Sequence, residues 1–222
     1  MRKTLTTIAI LLAMTAPLSA ETLDGQQTYD LLFKEGTLTP VSKDMALRYQ
    51  REVSNSLKPD AAERDTGSIV LSFEEKAATM ALLQFQQDGK KRGLGSFPAS
   101  VGNPMIMYFY ETVVRDMAEA AGGSPFYIRN RVKESLIRPT EPVVGEAEVN
   151  GETVSTQTVR LYPFANDPNR AQMKGFGDLE LTVTMSEDVP GWYLSLEALA
   201  QGEGDTPVYH SEIDFTALEA SE

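Results

Sequence analysis

The stretch NPMIMYFYETVVRDMAEAAGGSPFYIRNRV, residues 103–132, decides the fold. Asn103-Pro104 is a helix start, with Asn as N-cap and Pro in the first turn. At about 100° per residue, Ile106, Phe109, Tyr110, Val113, Val114, Met117 and Ala120 share one broad face, the face a core would cover. Glu111, Arg115 and Glu119 share the other, spaced for i,i+4 ion pairs. Met105 and Tyr108 lie on that otherwise polar side, so the first turns are apolar nearly all round and are expected to be enclosed on several sides. Gly122-Gly123 breaks the chain. Ser124-Pro125 then starts a second helix that runs to about Ile137 and stops before Pro139, with Ile128, Val132 and Leu136 as its inward stripe.

Outside this stretch the periodicity is that of strands. Asp24 and Gln27 form a capping box for one further short helix before Gly36. Met45, Leu47, Tyr49 and Val53 then alternate with Ala46, Arg48, Gln50 and Glu52. Residues 59–67 are polar and read as a turn-rich loop, closed by Asp65 to Gly67. Ile69, Leu71 and Phe73 begin a second alternation after it. The segment 74–87 has alanines and Met80 that suit a helix. Its strand-like neighbours and the Asp88-Gly89 turn signal favour a β-hairpin, and we read it as strand. Asn150-Gly151 joins Val143–Val149 to a strand at 154–162. Leu179, Leu181, Val183 and Met185 alternate cleanly, and Pro190-Gly191 turns into Trp192, Leu194 and Leu196. The last strand shows Tyr209, Ile213 and Phe215 on one face.

Strands with one polar face need a cover for the other. The helices of residues 103–138 are the only large apolar cover, so the expected class is α+β: a curved antiparallel β-sheet wrapped around a central helix, by analogy with periplasmic lipoprotein carriers. No long linker or repeat divides residues 21–222, which read as one domain.

Residues 1–20 have the three parts of a signal peptide: Arg2-Lys3, an apolar run from Leu5 to Ala16, and a cleavage region ending at Ala20. That run is too short to span a bilayer, and none later is long enough. The expectation is an exported, periplasmic protein with no membrane span after cleavage. There is no cysteine, which excludes a disulfide scaffold, a thiol nucleophile and cysteine metal sites. The net charge is −12, and −14 once Arg2 and Lys3 are removed, a balance that repels nucleic acid.

Candidate catalytic groups are few. Asp65-Thr66-Gly67-Ser68 matches the aspartic-protease tetrapeptide, but the chain has no second copy and no apolar strand leads into it. His210, the only histidine, falls opposite Tyr209 and Ile213, on a solvated face, away from any partner serine or metal-ligand set. The loop Asn166–Arg170, NDPNR, has oxygen ligands but not the calcium-loop pattern and reads as a structured loop. We expect no cofactor, no metal and no catalytic constellation.

The second helix carries the best candidate site. Arg129 and Lys133 flank its inward stripe on one side. Tyr127, Arg131 and Arg138 line the other, near Glu134. The bland account is a solvated face with Glu134–Arg131 and Glu134–Arg138 pairs. The sharper account is a clamp of guanidinium forks gripping a phosphate or carboxylate beside an aromatic ring. Met105, Tyr108 and their neighbours at the head of the first helix are core, or else line an adaptable apolar groove. Together the sharper readings describe a site for an amphiphile, its tail near Met105 and Tyr108 and its anionic head near Arg131.

Residues 103–138, and more faintly EDVPGW at 187–192, resemble a block in uncharacterised exported proteins of Gram-negative bacteria. The resemblance implies export and a folded domain of this kind. The expected function is a non-enzymatic periplasmic protein that binds an amphiphilic ligand, a lipoprotein segment or another envelope protein. The alternatives are a structural or regulatory protein-interaction module without a pocket, and a carboxylate-dependent hydrolase.

Overall fold

The computed structural model describes residues 22–202 and 206–221. The signal-peptide pattern therefore lies outside the described residues. In chain order the elements are α1 (Gly25–Leu32), β1 (Met45–Asn55), α2 (Pro59–Asp65), β2 (Gly67–Glu75), β3 (Thr79–Gln87), β4 (Lys90–Pro98), α3 (Met105–Ala121), α4 (Pro125–Leu136), β5 (Val143–Val149), β6 (Glu152–Leu161), β7 (Glu180–Met185), β8 (Tyr193–Ala200) and β9 (Tyr209–Ala220). Among the described residues the nine strands form one open antiparallel sheet in the order β4-β3-β2-β1-β9-β8-β7-β6-β5, so the class is α+β. The two strands most distant in sequence, β1 and β9, pair at its centre over eleven positions, from Met45–Ala220 to Asn55–Tyr209.

Local chemistry accounts for most of these elements. The Asp24 carboxylate accepts from the Gln27 N–H at 2.8 Å, and the Gln27 amide closes the capping box. Of residues 74–87, read as strand, 79–87 form β3, while 74–75 end β2 and 76–78 turn between the two; Asp88 and Gly89 both have positive φ, the geometry of a tight hairpin. Asn150 and Gly151 do the same for the β5–β6 hairpin. Asn103 caps α3 by accepting from the Met105 N–H at 3.0 Å, while its amide donates to the Tyr49 hydroxyl and the Gly191 carbonyl. One short side chain thus ties the helix start to β1 and to the β7–β8 turn. Gly191 permits this approach. Its φ is +80°, and a Cβ there would lie 2.6 Å from Leu47 and 2.9 Å from the Asn103 amide.

The core lies between one face of the sheet and the helices. Ile106, Phe109, Val113 and Met117 of α3 are buried, as are Ile128, Val132 and Leu136 of α4. Each such side chain contributes roughly 1.5–3 kcal/mol by leaving water. α3 touches α4 on one side and β8 on another.

Three expectations are corrected. Residues 59–65 form a helix rather than a loop: Pro59 opens it, Asp60 suits its first turn, and Ala61 and Ala62 favour it over the polar turn reading. Asp65 consequently ends α2 as a buried side chain instead of closing a solvated turn. The i,i+4 ladder on α3 is replaced by bonds to other elements, Glu111 to Arg129 and Glu119 to Arg64, because the neighbouring helices bring guanidinium groups within reach. On β8 a register shift at Thr184–Met185 leaves Tyr193 and Leu196 buried and Leu194 only partly so. Trp192 precedes it with φ +82°, an uncommon conformation for a bulky residue.

Candidate functional site

Two places collect unusual chemistry. The first is a buried chain of charge. β1 sends Leu47, Tyr49 and Arg51 to the same face of the sheet, and the Arg51 side chain is fully buried. Its Nη2 is 2.9 Å from Asp116 Oδ2 on α3, an oxygen that also accepts from the Tyr209 hydroxyl of β9 at 2.9 Å. Arg115 Nη2 bridges Asp116 Oδ1 and Asp65 Oδ2, each at 2.9 Å. Arg64 continues the chain from Asp65 to Glu119. Burial pushes the Asp65 carboxyl up, but Arg64, Arg115 and Arg51 outweigh it and hold it below the usual range.

This arrangement is structural chemistry. Asp65 and Asp116 are each engaged by two guanidinium groups, whereas a general acid or a proton-sharing dyad needs at least one carboxylate that is not. The cleft beside Asp65 and Asp116 measures only about 10 Å³, the space of one water. The hydrolase reading gains no support from this pair. Among the described residues there is also no group of three or more His, Asp or Glu side chains able to hold a metal ion.

The second place is the head of α3. Tyr29 and Phe33 of the α1 segment stack at 4.6 Å between ring centroids. With Phe97, Val101, Ile106 and Met107 they line a groove of about 340 Å³. Tyr29, Val101 and Met107 are 39%, 62% and 48% exposed, so much of this apolar lining is open to solvent. Beyond the Lys34–Glu35 ridge lies a second groove of about 480 Å³, where Val41, Met45, Val189, Trp192 and Leu218 supply apolar wall. Lys34 Nζ sits 4.2 Å above the Trp192 ring and pairs with Glu187 across the same groove.

The residues singled out from the sequence are distributed as follows. Met105 is fully buried in the core. Tyr108 is half-buried, its hydroxyl 3.5 Å from Arg51 Nη1. Arg129 forks onto Glu111 with both bonds at 2.7 Å. Lys133 lies near the same glutamate, close enough to help hold its carboxyl below the usual range after Arg129 has done most of it. Arg138 donates to the Tyr162 carbonyl rather than to Glu134. Arg131 pairs with Glu134 at 2.8 Å and with Asp167 at 2.9 Å, its guanidinium 5.0 Å from the Tyr127 ring centre. The Tyr127 hydroxyl also donates to Asp167, at 2.6 Å. The clamp of guanidinium and aromatic ring is therefore present, and the carboxylate it grips belongs to the NDPNR loop of the same chain. None of Arg129, Arg131, Lys133 or Arg138 lines the groove at the head of α3. The expected tail and head subsites do not form one cavity.

Tyr29, Phe33, Phe97 and Val101 of that groove were missed; Ile106 and Met107 belong to the helix head expected to offer one, and Met107 carried a signal. It is an apolar side chain off the inward stripe of its helix. Arg51 carried one too, since its parity on β1 matches Leu47 and Tyr49.

Comparison with known proteins adds nothing to these observations, since no protein-family model and no curated protein matches the chain. Among the described residues no helix is long and apolar enough to cross a membrane.

Proposed function

We propose that this is an exported, non-enzymatic binding protein of the bacterial envelope, and that the groove at the head of α3 takes an apolar portion of its ligand or partner. One observation carries the reading: Tyr29, Val101 and Met107, three large exposed apolar residues from three segments, converge on one groove. Export rests on the N-terminal signal pattern. A sheet curved about α3, in the manner of lipoprotein carriers, is the architecture this reading supposes.

A second reading is a protein-interaction module. It is favoured by the complete burial of Met105, which leaves the groove a surface feature over a filled core. The test is purification of residues 21–222 from native periplasm, for wild type and Met107→Asp, with mass spectrometry of what comes with each. The proposal expects an apolar species retained by wild type and lost from the variant. A copurifying lipid supports the amphiphile version and a protein supports the module. Nothing retained, together with no melting shift across a lipid panel, would overturn the ligand reading.

A further inference from the structure

The two edges of the sheet are built differently. β4, at one end, is guarded. It begins Lys90-Lys91-Arg92, carries an extra residue, Leu94, between Gly93 and Gly95 where the register shifts, and ends in Pro98. Basic side chains, bulges and proline are devices that stop a strand from pairing further. β5, at the other end, has no bulge and no basic residue; its charges are acidic, and Pro142 stands just before it. Its seven residues run in unbroken register against β6, from Val143–Thr158 to Val149–Glu152. Among the described residues it pairs on that side only. Val143 and Val144 are 52% and 60% exposed.

The charge at this edge is of one sign. From Pro139 to Val159 there are four glutamates (Glu141, Glu146, Glu148, Glu152) and no lysine or arginine. Glu146 and Glu148 sit on β5 itself, both exposed and both on the face that carries Val144. A second copy is a poor occupant. Two-fold antiparallel pairing centred on β5 would set Glu146 against its own counterpart, and like charges directly opposite are destabilising.

We propose that β5 is a docking edge for an extended, basic segment of a partner protein, added antiparallel to the sheet. The main-chain bonds of strand addition supply affinity, and lysines or arginines opposite Glu146 and Glu148 supply selectivity and register. An apolar residue of the segment would cover Val143, on the other face. This site is separate from the groove at the head of α3 and stands without it.

A capped heptapeptide of alternating valine and lysine, with lysine at its even positions, tests the proposal against residues 21–222 by fluorescence anisotropy. Binding is expected to weaken about tenfold or more with the double variant Glu146→Lys, Glu148→Lys. Methylating alternate peptide nitrogens in one register should abolish it, and in the other register should leave it intact. Met107→Asp should leave it unchanged. No binding by the unmodified peptide, or binding indifferent to methylation in both registers, overturns strand addition. A wild-type dimer in sedimentation that the double variant dissociates would assign the edge to a second copy and overturn the proposed occupant.

Discussion

Arg51 Nη2 of β1 meets Asp116 Oδ2 of α3 at 2.9 Å with the two side chains 0% and 5% exposed. Two charges have been taken out of water to join β1 to α3. Removing one partner leaves the other charged and enclosed. Asp116→Ala is therefore expected to cost about 3–5 kcal/mol in urea unfolding. The double change Arg51→Met, Asp116→Leu removes both charges, and is expected to be far less costly than the sum of the single changes. Additive costs would show that the pair is not coupled.

The Asp65 carboxyl is held below its ordinary value by the guanidinium groups around it, against the upward push of burial. A depressed folded value means that the contribution is present above the unfolded value, near 3.8, and is lost as pH falls through the folded one. Asp65→Asn is expected to cost about 1–3 kcal/mol at neutral pH. The difference from wild type should shrink as urea midpoints are followed from pH 5 toward pH 2. A difference independent of pH would assign the loss to packing instead.

On the solvent face, Glu212 of β9 is the direct cross-strand neighbour of both Glu52 on β1 and Glu197 on β8. Burial first, and then Asp214 and Glu197, push the Glu212 carboxyl up. Burial, with Glu52 and Glu197, pushes Asp214 up as well. Raised folded values make the sign opposite to that of Asp65: the ionised row costs stability, and the cost appears as pH rises through the folded values. Glu212→Gln is expected to stabilise by roughly 0.2–1 kcal/mol at pH 7, less in high salt, and not at all below about pH 4. His210 moderates the row by its 2.9 Å contact with Glu197. His210→Ala should therefore enlarge the gain from Glu212→Gln.

Trp192 is the only tryptophan, 4% exposed, with its indole N–H donating to the Leu31 carbonyl at 3.2 Å. Its fluorescence should be blue-shifted and poorly quenched by acrylamide in the folded state, and should move red on unfolding. Lys34 lies over the ring and pairs with the largely exposed Glu187, so Lys34→Ala should change stability by no more than about 0.5 kcal/mol. The same variant should raise quenching measurably. Quenching equal to wild type would show that the lysine does not cover the indole.

Most of the fold was legible because its signals are local. The Asp24–Gln27 capping box, the Asn103-Pro104 start of α3 and the Asn150-Gly151 hairpin all act within a few residues of chain. Alternation identified β1 and β7, and strand-like neighbours with a turn signal chose strand for 74–87, most of which is β3. Where the local signals were mixed, the reading failed: in α2 Pro59 and Asp60 suit a turn as well as a helix start, Ala61 and Ala62 favour the helix, and packing against β1 supports a seven-residue helix too short to stand alone.

The candidate sites divide on the same line. By itself the sequence determined most of the secondary elements, the acidic charge, the lack of any thiol and the clustering of guanidinium groups near Tyr127. It could not say what the clamp holds, because Asp167 is forty residues from Tyr127 and reaches it only through the loop after β6. Nor could it pair Arg51 with Asp116 or bring Tyr29, Val101 and Met107 to one groove. Those relationships depend on which strand lies beside which and on the side from which α3 meets the sheet. Long-range contacts set both, and no local period encodes them.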